Sequence, residues 1–70
     1  MNVTFQIYCE MNNPSIGYRH FFENVLTIDQ RNDILTSLKY NPCVTLLQWR
    51  KVHKYTFGIW HSVSIIKKGE

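Results

Sequence analysis

Apolar and polar residues alternate at the start of the chain. Val3, Phe5, Ile7, Cys9 and Met11 fall on one side of a period of two, and Thr4, Gln6, Tyr8 and Glu10 on the other. This period predicts a strand with one face on a core, because successive side chains of an extended chain point to opposite faces. Asn12, Asn13, Pro14 and Ser15 then supply turn chemistry: Asn tolerates left-handed backbone, and Pro fixes its own φ while disfavouring helix just before it. Residues 16–25 fit two periods. Ile16, Tyr18, His20 and Phe22 alternate as in a strand, whereas Tyr18, Phe21, Phe22 and Val25 stand at helical spacing. A strand is the better reading, since it closes a hairpin on the first strand at once and a helix would carry Gly17 in its first turn.

Thr27-Ile28-Asp29-Gln30 is a capping box, with the Thr hydroxyl set to accept from the third helical amide and the Gln side chain to reach back. The expected helix begins near Ile28. It carries a core stripe of Ile28, Ile34, Leu35 and Leu38 flanked by Arg31 and Asn32, with Asp29 and Asp33 towards the positive end of its dipole and Lys39 at the negative end. Asn41-Pro42 closes it, Asn by taking the left-handed cap position and Pro by being unable to continue. The β-branched and aromatic residues after Pro42 predict a hairpin of two long strands, about 43–51 and 55–67, turning near Val52-His53-Lys54. Gly58 marks an expected bulge. The predicted fold is α+β, a small antiparallel ββαββ sheet with one helix on one face, or βαββ without the second strand. Residues 1–70 are read as one domain.

With 44% hydrophobic residues, three glycines and two prolines, the composition is that of a folded globule. No apolar run reaches the roughly 18 residues of a membrane span. The opening Met1-Asn2-Val3-Thr4 lacks the basic start and apolar stretch of a signal peptide, so the expected setting is cytoplasmic, without a membrane partner. Cys9 and Cys43 are too few for a disulfide framework and are expected as free, buried thiols. The net charge of +3 is unevenly spread: residues 1–38 sum to −2, residues 39–69 hold six basic residues and no acid, and Glu70 comes last. Such asymmetry points to an acidic partner for the C-terminal half.

Catalytic chemistry finds little to work with. His20, His53 and His61 and the two cysteines lack the close paired spacing of a zinc site, although His53 and His61 could meet across the hairpin. Cys9 lies on the predicted core face, where a thiol is inert. Glu10, Glu23, Asp29 and Asp33 have ordinary places at strand edges and the helix start, and the glycines form no phosphate loop. We therefore expect no enzymatic activity and no cofactor or metal.

The dense feature is the last hairpin, where Trp49, Arg50, Lys51, His53, Lys54, Tyr55 and Trp60 interleave basic and aromatic side chains. Alternation cannot bury every ring. An exposed aromatic patch rimmed by basic residues matches a protein-interface hot spot, and these seven are the expected partner-binding residues of a small inhibitor or adaptor. The alternative is a nucleic-acid binder in which Arg50, Lys51, Lys54, Lys67 and Lys68 neutralise phosphates while rings stack on bases. An exposed edge strand and spare aromatics are also material for a homodimer.

In its size and its order of a strand, a capped helix and a terminal hairpin, the whole chain resembles the small phage-encoded inhibitors of host defence, such as anti-CRISPR proteins. The resemblance implies a stoichiometric inhibitor of a larger host protein or nucleoprotein complex. If the receptor is itself a basic groove, Glu10, Glu23, Asp29 and Asp33 become the contact residues.

Overall fold

The computed structural model describes residues 4–65. Its elements are β1 (Phe5–Asn13), β2 (Gly17–Val25), α1 (Ile28–Lys39), β3 (Val44–His53), β4 (Thr56–Phe57) and β5 (His61–Ser62). The fold is α+β: one antiparallel sheet in the order β2-β1-β3, with β4 and β5 both pairing the far edge of β3, and α1 lying across β1 and β3.

β1 is central, and its alternation sets the core. Phe5, Ile7 and Cys9 are buried beneath the helix with Val25, Leu35, Val44 and Leu47. The turn into β2 is built by Asn13, whose side-chain oxygen accepts from the amides of Ser15 at 2.8 Å and Ile16 at 3.3 Å. Gly17 closes it at φ +93°, a left-handed conformation that a residue with a Cβ adopts with strain. Residues 16–25 thus take the strand reading, and β2 pairs β1 without a slip from Phe5↔Val25 to Asn13↔Gly17.

α1 starts as expected, with the Thr27 hydroxyl accepting from the Gln30 amide at 3.1 Å. The Gln30 side chain reaches one residue further back than a capping box requires, to the Leu26 amide. The core stripe is narrower than predicted: Leu35 is buried, Ile34 and Leu38 are half-buried, and Ile28 is exposed. Asn41 ends the helix through its side chain rather than a left-handed backbone, accepting from the Cys43 amide at 2.9 Å in an Asx turn.

Two irregularities reshape the C-terminal half. Between β1 and β3 the register steps from Glu10↔Leu46 to Met11↔Val44, leaving Thr45 as an extra residue. The bulge returns Val44 to the core face beside Leu47, a spacing of three that unbroken alternation would forbid. The predicted strand over 55–67 is not continuous within the described residues. β4 and β5 are two short pieces, and Val52↔Phe57 becomes Trp49↔His61 across a stretch containing one residue too many. Gly58 sits in that stretch as expected of a bulge, its amide donating to Lys51 O at 2.8 Å. Ile66, Lys67 and Lys68 lie outside the described residues.

Candidate binding face

The helix covers one side of the sheet and leaves the other bare. The pairing of Gln6 with Asn24 and Arg50, of Tyr8 with Phe22 and Gln48, and of Glu10 with His20 and Leu46 puts all of these on the bare side. Tyr18 precedes His20 on the same face of β2, and Trp60 joins from the segment before β5. Their rings form a connected patch. Tyr8 lies 4.9 Å from Phe22, 6.1 Å from Trp60 and 6.3 Å from His20 between centroids, and Tyr18 is 5.9 Å from His20. These are the spacings at which tilted rings attract. Tyr8, His20, Phe22, Gln48 and Trp60 line an open groove of about 280 Å³.

Arg50 is held rigidly at one end of the patch. Its Nε and a terminal nitrogen donate to Gln6 Oε1 at 2.9 and 2.6 Å, and Gln6 in turn donates to Asn24, so one polar row crosses three strands. The guanidinium carbon lies 4.2 Å from the Phe57 ring centre and 4.4 Å from that of Trp60. Cation–π contacts on two rings fix the side chain without neutralising its charge. The bulge at 58–60 makes this possible, since simple alternation sets Phe57 and Trp60 on opposite faces.

Glu10 holds the other end. The Tyr8 hydroxyl donates to it at 2.5 Å. This bond, helped by the Tyr18 phenol on the same face, pulls the Glu10 carboxyl below its ordinary value against the opposing effect of burial. The same bonding to Glu10 pushes the phenols of Tyr8 and Tyr18 upward. Because the folded-state value of Glu10 is lowered, its stabilising contribution is present above the unfolded value and lost as pH falls through the folded one. Tyr8→Phe is expected to move the Glu10 titration midpoint upward in an NMR pH series; an unmoved midpoint would show that the bond does not form in solution.

The structure divides the seven residues expected to act together. Arg50 and Trp60 stand on the bare face. Trp49 points to the helix side, stacked on His61 at 4.5 Å and covered by the Arg31 guanidinium at 4.2 Å, so it caps the end of the core. Lys51 pairs with Phe5 and shares its side of the sheet, exposed at the rim. His53, Lys54 and Tyr55 are exposed at the β3–β4 turn, where Lys54 takes φ 50° and Tyr55 projects into solvent. The aromatic and basic features of the hairpin are therefore two surfaces. Tyr8, His20, Phe22 and Phe57 complete the bare face, and only pairing between strands brings them together.

Cys9 is buried and free, and burial pushes its thiol up, away from reactivity. Cys43 is free and half-buried, its sulfur accepting from the Asn13 side-chain amide. Among the described residues no three of His, Cys, Asp or Glu gather as a metal-binding group, and no helix is long and apolar enough to cross a membrane. No protein-family model matches the chain, and no curated protein or solved structure does. The functional reading accordingly rests on the geometry of the bare face.

Proposed function

We propose that this protein is a non-enzymatic binding module, a stoichiometric inhibitor or adaptor, that docks the bare aromatic face of its sheet onto a larger protein. The observation that carries this reading is the uncovered ring patch closed at one end by a fixed Arg50. Rings and a fixed arginine surrounded by polar neighbours are the composition in which interface energy concentrates. Charge on that face favours a protein over a nucleic acid: among its described residues it pairs one cation, Arg50, with one acid, Glu10, whereas a strand-tracking groove is lined with cations. The resemblance to phage-encoded inhibitors makes a host nucleoprotein complex the first partner to test.

The test is an affinity pull-down from a host lysate at low and high salt, with and without nuclease, comparing the wild-type chain with Trp60→Ala. We expect one protein recovered in stoichiometric amount, unaffected by nuclease, largely retained at high salt and lost with Trp60→Ala. Recovery that collapses with nuclease or with rising salt would establish the nucleic-acid reading instead, since binding through several phosphates falls steeply with salt.

A further inference from the structure

The two edges of the sheet differ. Beyond β3 the edge is occupied by β4 and β5, whereas β2 has no neighbour on its outer side among the described residues. Its outward groups are set by the hydrogen-bond alternation of antiparallel strands. The Asn12 amide donates to Cys43 O, and in β3 the carbonyls of Leu47 and Lys51 accept from Val63 and Gly58 on the far side. Hence the even-numbered residues of β3 and their even-numbered partners in β1 bond to each other, and the odd-numbered residues of β1 bond towards β2. The odd-numbered residues of β2 are their partners. Tyr18, His20, Phe22 and Asn24 therefore direct their amides and carbonyls away from the sheet.

Edges are ordinarily protected by proline, a bulge, lysine or a covering loop. β2 has no proline or lysine, and its register with β1 is unbroken over nine residues. Its sequence, Gly17-Tyr-Arg-His-Phe-Phe-Glu-Asn-Val25, is also complementary to itself about Phe21. Arg19 and Glu23 stand two residues to either side of that centre, both exposed and both on the helix side of the sheet.

We propose that β2 pairs antiparallel with β2 of a second copy of this chain, about a two-fold axis through Phe21, to form a continuous sheet across a homodimer. In this register the outward amides and carbonyls of His20 and Phe22 meet those of the partner's Phe22 and His20, and Tyr18 and Asn24 pair likewise. Arg19 faces Glu23 of the opposing strand, twice by symmetry. These are non-hydrogen-bonded positions, where opposing side chains approach most closely. Phe21 meets its own copy beside the apolar groove that it lines with Ile34 and Leu38, and Asp33 on that groove's rim adds a second carboxylate near the incoming guanidinium. A slip of two residues sets Arg19 against Phe21 or Val25 and forfeits both ion pairs, so the charges select the register as well as the partner. The bare faces of the two copies then adjoin, doubling the aromatic surface. The proposal does not depend on what that surface binds.

The test is sedimentation equilibrium on the whole chain, with circular dichroism confirming the fold of each variant. The wild type is expected to be a dimer. Arg19→Glu and Glu23→Arg each turn two attractive pairs into two repulsive ones and are expected to weaken dimerisation by at least about tenfold. The double variant restores the pairs and is expected to recover the wild-type constant. His20→Pro, which removes one outward amide and leaves the ladder to β1 intact, is expected to give a folded monomer. A monomeric wild type at its highest soluble concentration would overturn the proposal, as would a dimer indifferent to Arg19→Glu or a double variant that remains monomeric.

Discussion

Replacing Leu47 by alanine is expected to destabilise the protein by about 2–5 kcal/mol, the range for deleting a buried leucine side chain. Leu47 has no exposed surface, pairs with Cys9 on the central strand, and stands with Ile7 and Val44 at the centre of the core. In a domain this small the cavity removes a large share of a stability near the low end of roughly 5–15 kcal/mol. Thermal unfolding at neutral pH is expected to show either a midpoint lowered by about 8 °C or more, at about 4–8 °C per kcal/mol for a domain of this size, or no cooperative transition. Ile59→Ala is the matched control: Ile59 is 77% exposed, and its loss is expected to change stability by no more than about 0.5 kcal/mol. Equal effects at the two positions would mean that the core lies elsewhere.

The second large effect concerns binding. Trp60 touches Tyr8, Phe22 and the Arg50 guanidinium at once, so truncating it removes ring surface and also frees an arginine that the fold holds in place. A hot-spot residue of this kind is worth about 2 kcal/mol or more, roughly a 30-fold loss of affinity. Phe22, 55% exposed in the free protein, is expected to lose at least about tenfold when changed to alanine. Both side chains lie off the helix-side core, so the variants should stay folded. Affinity loss with an unchanged circular dichroism spectrum is the signature; affinity loss only in step with unfolding would assign the patch to stability.

The elements themselves, though not their order in the sheet, are legible in the sequence where one period governs a segment. The alternation from Phe5 to Met11 and the Thr27 cap each depend on contacts within a few residues, and both appear as read. Gly17 resolves the ambiguity at residues 16–25 because its positive φ suits a hairpin turn and not a helix start. From Leu46 to Lys51 alternation sets the relative faces correctly, but the faces of residues across the two bulges are not legible. One extra residue at Thr45 and another at 58–60 each reverse the parity of the residues beyond them, and a bulge is set by pairing with another strand rather than by local pattern. Trp49 and Trp60 illustrate the result: the sequence groups them in one hairpin patch, yet Trp49 caps the core under Arg31 while Trp60 joins Tyr8 and Phe22. Tyr8 itself is visible as a polar-side residue of β1, but its importance comes from the rings that β2 and the β5 approach bring to it.

The central claim is that the bare face, and not the basic turn, makes the contact. Isothermal titration of the captured partner with Phe22→Ala/Trp60→Ala and, in parallel, Lys51→Ala/Lys54→Ala tests it directly. We predict that the first variant loses binding by about 100-fold or more and that the second stays within about threefold of the wild type, as rim charges do. The reverse pattern, with the lysine variant abolishing binding and the aromatic variant retaining it, would contradict this claim and move the site to the β3–β4 turn.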